Sequence, residues 1–152
     1  MTEIRDLLSY RLHVVANLLS RGAELRYRRE FGVSLWEWRT LALLGAVRTP
    51  LSLSHLAHAA GIHKSQMSRV VSGLARRRLV RRAADPVDGR GVHIALSPTG
   101  RKVYGGLIVA AAQRDAVFRD CLSARENQVF DQALAKLAGR AKEFIGSEKS
   151  AK

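Results

Sequence analysis

Polar and basic side chains between residues 63 and 78 share one face of a predicted helix. The opposite, apolar stripe has the i, i+3, i+4, i+7 spacing of a buried face and consists of Met67, Val70, Val71 and Leu74. The polar face contains neither Asp nor Glu; with its flanks it consists of Ser65, Gln66, Ser68, Arg69, Ser72 and Arg76. Hydroxyl, amide and guanidinium groups can hydrogen-bond phosphate oxygens and base edges. The pattern therefore predicts a helix that lies against a negatively charged partner.

Basic charge is concentrated around this helix. The chain has 26 Lys and Arg against 13 Asp and Glu, a net charge of +13. Residues 61–102 contain ten of the basic residues and only two of the acidic ones. Arginine dominates this cluster. Its planar guanidinium suits phosphates and guanine edges, whereas a surface that is charged only for solubility has no need of arginine over lysine. The distribution favours a nucleic-acid surface, on which the candidate phosphate contacts are Lys64, Arg76, Arg77 and Arg101.

A predicted β-hairpin follows the helix. Residues 79–84 and 92–96 have strand character, and the Pro, Asp and Gly residues between them form turns readily. One interpretation is that these residues form only a structural turn between two strands. The functional interpretation uses Arg90 near the tip and Asp88, whose carboxylate can orient that guanidinium. The hairpin would then be a wing that contacts the minor groove or the adjacent backbone.

Other reactive side chains predict no catalytic or metal chemistry. His55, His58 and His63 lie close in sequence, but no Cys or carboxylate near them completes a tetrahedral zinc site. Cys121 is the only cysteine, which excludes an intramolecular disulfide and fits a reducing cytoplasm. It reads as a buried or interfacial structural thiol rather than a redox sensor. Phosphate-binding loops, nucleophile elbows and paired carboxylates are missing, so we expect no enzyme, metal or cofactor.

The elements that must position these side chains are mostly helices within a single domain, residues 1–152. No apolar run is long enough to span a membrane. Gly32 should stop the first helix, and S-x-x-E capping boxes open the second and last helices at Ser34 and Ser123. The tail from Gly146 reads as a frayed end. Besides the recognition helix, the sequence predicts helices over residues 4–31, 52–60 and 97–121. Two more helices are predicted to begin at residues 34 and 123.

Two motifs, in this order, carry a resemblance to a known family. They are the wing sequence Asp85-Pro86-Val87-Asp88-Gly89-Arg90 and the helix opening Leu96-Ser97-Pro98-Thr99-Gly100. With Trp38 and Leu41 in the second helix, the chain resembles the multiple-antibiotic-resistance regulator (MarR) family of winged-helix transcription factors. It departs from the family at Arg78, where a glycine is frequent, and at His63, where Ser or Asp usually caps the recognition helix.

The resemblance implies a mainly α fold with a small β-hairpin wing. Residues 34–99 would form the winged helix-turn-helix part, bracketed by dimerisation helices at 1–31 and 100–146. The long apolar stripes of these terminal helices independently favour a two-fold homodimer over a monomeric helical cap. Two recognition helices would then enter adjacent major grooves about 34 Å apart on a near-palindromic operator.

The implied function is a DNA-binding transcriptional regulator, most simply a repressor that a small ligand releases. The predicted contacts with double-stranded DNA are Lys64, Ser65, Gln66, Ser68, Arg69, Ser72, Arg76, Arg77, Asp88, Arg90 and Arg101. Family effectors are often phenolic or other aromatic carboxylates held between the dimerisation helices and the winged helix. The candidate lining residues are Tyr10, Arg11, His13, Asn17, Trp36 and Arg39. The alternative is an architectural, sequence-nonspecific DNA-binding protein, which explains the charge but not its focus on one polar helix.

Overall fold

The structure is a computed structural model that describes residues 3–84 and 92–151. A short 3₁₀ helix, Ile4–Asp6, precedes six α-helices and three strands in the described ranges. They are α1 (Leu8–Phe31), α2 (Leu35–Gly45), β1 (Leu51–Ser52), α3 (Leu53–Ala60), α4 (Lys64–Arg76), β2 (Val80–Ala84), β3 (Val92–Leu96), α5 (Pro98–Arg119) and α6 (Ala124–Ser150). The strands form an antiparallel sheet in the order β1-β3-β2. A helix-turn-helix, α3–α4, followed by the β2–β3 hairpin confirms the predicted winged-helix fold.

Local capping chemistry sets most helix starts, as the sequence predicts. Ser34 Oγ accepts a hydrogen bond from the Glu37 backbone N–H at 3.2 Å, and Glu37 Oε2 accepts one from the Ser34 N–H at 2.8 Å. The same reciprocal box joins Ser123 and Glu126 at the start of α6. His63 is the N-cap of α4 and makes no side-chain capping bond.

Two expectations from the sequence are wrong, and one of the two alternatives for Cys121 is excluded. The first helix does not run unbroken from residue 4, because Leu7 is extended (φ −70°, ψ 133°) between the 3₁₀ helix and α1. The chain does not fray at Gly146, since α6 continues to Ser150. A glycine inside a helix lowers helix stability by only about 1 kcal/mol, and the residues around Gly146 are compatible with a helix. Cys121 is exposed rather than buried, with its Sγ 3.0 Å from the Phe118 carbonyl oxygen. An interfacial role for this thiol stays a prediction.

The chain divides into two compact units, residues 1–111 and 112–152. The first unit contains the hydrophobic core, in which the largest fully buried side chains include Tyr27, Leu41, Leu56, Met67, Leu74 and Leu107. Tyr27 packs on Trp38 with ring centroids 5.3 Å apart, which joins α1 to α2. No described residue of the second unit is buried.

Candidate nucleic-acid interface

The recognition helix α4 is fixed by its apolar stripe. Met67, Val71 and Leu74 are buried and Val70 is half-buried, as the spacing predicted. The Thr40 hydroxyl on α2 donates to the Trp36 carbonyl at 2.8 Å and lies 3.5 Å from the Met67 sulfur. Because this buried side is anchored, the other side of α4 must face away from the core.

All seven predicted contact residues on α4 are exposed. They are Lys64, Ser65, Gln66, Ser68, Arg69, Ser72 and Arg76. The turn before α4 is formed at Gly61, where φ is +68° and the Ile62 N–H donates to the Ala57 carbonyl at 3.0 Å. This turn sets α4 across α3 with its first two turns open to a partner. The structure thus presents a continuous, acid-free polar surface.

Arg77 is held differently from its neighbours. Its Nη1 lies 3.3 Å from Glu37 Oε1, and this carboxylate also completes the capping box of α2. The ion pair ties the end of α4 to the start of α2. Arg77 can therefore fix the helix as well as contact a phosphate, a second role that sequence spacing alone could not show.

The described part of the wing is a regular antiparallel pair, with Val80 opposite Leu96 and Ala84 opposite Val92. Arg81 and Arg82 on β2 are exposed. Both belong to the basic cluster of residues 61–102 but are not among the predicted contacts, although consecutive arginines on a wing strand are a sufficient signal. Asp88 and Arg90 lie outside the described residues.

The start of α5 is attached to the turn between α4 and β2. Ser97 Oγ accepts from the Gly100 N–H at 2.9 Å and donates to the Arg78 carbonyl at 2.6 Å. Gly100 approaches the Leu79 carbonyl so closely that an added Cβ would lie 1.7 Å from its oxygen. Arg101, the predicted contact on this helix, is exposed one residue later.

The effector candidates fall into two groups. Arg39 stacks on the Trp36 ring at 4.8 Å and donates to Ser20 Oγ at 3.3 Å, so this pair is brought together. His13 and Asn17 are hydrogen-bonded neighbours on the exposed part of α1, which also carries Tyr10 and Arg11. A cavity of about 550 Å³ lies within the first unit, and of the six candidates only Arg39 lines it. Its other walls include Trp38, Leu43, Ala60, Tyr104 and Ile108.

Comparisons with known proteins agree with this geometry. A model of the MarR family matches residues 31–91. No curated protein matches the chain. Among solved structures, the MarR family transcriptional regulator SPO1453 from Silicibacter pomeroyi DSS-3 is 26% identical, with a TM-score of 0.74 over 90% of this chain and 99% of that chain. Residues 31–91, which contain the helix-turn-helix, are thus similar to the MarR family. The similarity supports a transcriptional regulator with a winged helix-turn-helix, and such regulators are generally not enzymes.

Two further solved structures share this fold over about nine-tenths of the chain. A MarR/EmrR family transcriptional regulator from Acinetobacter sp. ADP1 is 21% identical, with a TM-score of 0.83 over 93% of this chain and 99% of that chain. The MepR–DNA complex of S. aureus is also 21% identical, with a TM-score of 0.79 over 91% and 99%. None of the helices in the described ranges combines the length and apolar character that crossing a membrane requires.

Proposed function

We propose that this chain is a homodimeric, ligand-responsive repressor of the MarR family that binds double-stranded DNA. One observation carries the proposal: apart from Ala75, the exposed residues of α4 are polar or basic, and none is acidic. α4 would enter the major groove, and the β2–β3 wing would contact the minor groove or backbone beside it. The similarity in fold to MepR, which was solved with DNA bound, supports this placement.

The dimer is supported by apolar surface that the single chain leaves open. Large hydrophobic side chains are exposed along both terminal helices, among them Leu8, Leu18 and Leu25 on α1 and Val129, Phe130, Phe144 and Ile145 on α6. Soluble proteins rarely leave contiguous apolar stripes in water, and a second copy offers the same stripes in return. We therefore assign residues 1–31 and 100–146, extended to Ser150, to dimerisation and residues 34–99 to DNA. Two-fold symmetry would make the operator a near-palindrome.

The effector would be a small aromatic or phenolic carboxylate. The cavity beside Arg39 has the volume of a small-ligand site, and its walls are mostly apolar. Trp38 and Tyr104 supply aromatic surface, while the Arg39 guanidinium supplies the charge that a carboxylate needs. Tyr10, Arg11, His13, Asn17 and Trp36 stay candidates, with Arg39, for lining an effector cleft between the dimerisation helices and the winged helix.

A mobility shift on the chain's own promoter region, followed by footprinting, tests the function. A regulator protects one short site, whereas an architectural protein coats the fragment. We expect Arg69→Ala and Gln66→Ala each to cost about 1–3 kcal/mol on the specific site and much less on random DNA. Equal losses on both DNAs would show that these side chains contact only phosphate.

The same titrations at several salt concentrations measure the electrostatic part. Each neutralised phosphate contributes about 0.9 to the slope of log K against log salt, so contacts doubled by a dimer predict a slope of about −6 or steeper. A flat salt dependence would contradict the proposal. Repeating the shift with a panel of aromatic acids tests the effector, because a true effector must release the DNA.

A further inference from the structure

Three helices in the described residues end at a residue with a left-handed backbone. At the ends of α3 and α4, a backbone N–H just past the helix donates to a carbonyl five residues earlier, and at the end of α1 one donates to a carbonyl six residues earlier. These bonds are Val33 to Tyr27 (3.3 Å), Ile62 to Ala57 (3.0 Å) and Leu79 to Leu74 (2.9 Å). In each case the residue before that donor adopts a left-handed conformation, with φ of +63°, +68° and +58°. The ends of α3 and α4 form the Schellman motif, and the end of α1, where the Gly32 N–H donates to the Arg28 carbonyl, forms the related αL motif. Both motifs satisfy free carbonyls at a helix end.

Glycine occupies the left-handed position at two of these ends, and arginine occupies the third. Gly32 and Gly61 close α1 and α3, whereas Arg78 closes α4 and is the only non-glycine residue with positive φ in the described ranges. A Cβ is crowded in this region, so glycine is the residue that fits it without strain. The backbone around Arg78 cannot relax away, because its carbonyl accepts the Ser97 hydroxyl and the flanking Leu74 and Leu79 are buried.

The side chain of Arg78 contributes nothing visible to the fold that would offset this strain. It is exposed, and within the described residues no carboxylate or hydrogen-bond acceptor pairs with its guanidinium. The adjacent Arg77 is the opposite case, because its guanidinium is paired with Glu37. One arginine of the pair thus stabilises the end of α4, and the other is left as an uncompensated cation at a strained position.

Arg78 lies at the junction of the two elements that would contact DNA. It follows α4 directly and precedes β2, whose Arg81 and Arg82 are exposed. A guanidinium projecting from this turn is placed between the groove occupied by α4 and the backbone beside the wing. We propose that Arg78 is a phosphate-contacting residue, present where glycine would fold better because its cation contributes to DNA affinity. This rests on the proposed DNA-binding function.

The test compares Arg78→Gly, Arg78→Lys and Lys142→Ala as full-length proteins. Each is titrated with the promoter fragment and with random DNA at several salt concentrations, and each is melted in parallel. Arg78→Gly should raise the melting temperature by about 2–4 °C, because it removes the strain. The same variant should bind both DNAs about 5–10-fold more weakly, with a salt slope shallower by about 1 for each protomer.

The controls separate this role from net charge. Arg78→Lys should keep most of the affinity and the salt slope, while Lys142→Ala removes one charge from α6 and should bind like the original protein. If Arg78→Gly is more stable and binds unchanged, Arg78 is not a contact and the inference is overturned. A lower melting temperature for Arg78→Gly would equally overturn it, since the strain would then be absent. Failure of the unmodified protein to bind either DNA would instead refute the proposed function.

Discussion

The winged-helix part and helix α6 have opposite relations between sequence pattern and burial. In α4 the apolar stripe is buried within its own chain, and apart from Ala75 the exposed residues are polar or basic. In α6 the apolar residues are equally regular, yet Val129, Phe130 and Phe144 are 45–61% exposed and none of the described residues of this helix is buried. The contrast teaches that periodicity predicts which side of a helix will be covered, but not whether the cover comes from the same chain.

The largest expected effect tests the winged-helix part, whose core packs within the single chain. Gly100→Ala should destabilise the protein by about 3 kcal/mol or more, because the new Cβ would lie 1.7 Å from the Leu79 carbonyl oxygen, which is backbone and cannot swing aside. Gly105→Ala on the same helix is the matched control. Nothing lies within 4 Å of its added Cβ, so helix propensity alone should leave stability unchanged or raise it by up to about 1 kcal/mol. Urea unfolding followed by circular dichroism measures the stability of both variants. Similar losses of stability would show that the close contact between Gly100 and Leu79 does not matter for the fold.

The second prediction tests the part whose cover must come from outside. Phe130→Ala should raise the dimer dissociation constant about 100-fold or more, since each buried Phe contributes about 1.5–3 kcal/mol and a two-fold interface contains two. The neighbouring Gln132→Ala should change it little. Analytical ultracentrifugation over a dilution series gives the constants. If the Phe130→Ala dimer is as tight as the original, α6 is not the interface, and the contrast between the two regions loses its explanation.

Local signals in the sequence predicted much of the fold. Capping boxes at Ser34 and Ser123, the proline after Ser97 and the stripe through Leu74 each fix an element through contacts within a few residues. These elements are confirmed. The strand β1 escaped prediction because two residues carry no period, and Leu51 is defined only by pairing with Ile94, more than forty positions away.

The candidate site was predictable only in its outer face. The exposed residues of α4 follow from helical geometry once the buried stripe is known. The Glu37–Arg77 ion pair and the Arg39 cavity depend on elements distant in sequence, which no local rule places together. Arg78 could be noticed as a departure from a family pattern, but its left-handed backbone is a product of the surrounding turn.

A smaller effect separates the two capping boxes. Ser34→Ala and Ser123→Ala each remove an acceptor for the N–H three residues on, and each should cost about 1 kcal/mol. Ser34→Ala should lower global stability, because Glu37 of that box also carries the ion pair to α4. Ser123→Ala should loosen only the first turn of α6. Hydrogen exchange resolves the two outcomes, and global loss of protection in Ser123→Ala would show that α6 is as tightly coupled to the core as α2.

The smallest effect is a pH dependence at the same box. The Ser123 hydroxyl and backbone N–H donate to the Glu126 carboxylate, and these bonds lower the pKa of Glu126 below its ordinary value. A carboxylate with a depressed pKa in the folded state stabilises the fold above its unfolded pKa. That contribution disappears as pH falls through the lower, folded pKa. Ser123→Ala removes the main cause, so the pKa of Glu126 should rise towards the ordinary value and acid should loosen α6 less in the variant than in the original protein.

Glu30 is the internal control, because its pKa is lowered by Arg26 and Arg29 on α1 and should not move. An NMR titration of the glutamate side chains reads both groups in one experiment. An unchanged Glu126 would mean that the backbone bond alone holds the carboxylate, and the cap would then survive loss of its hydroxyl.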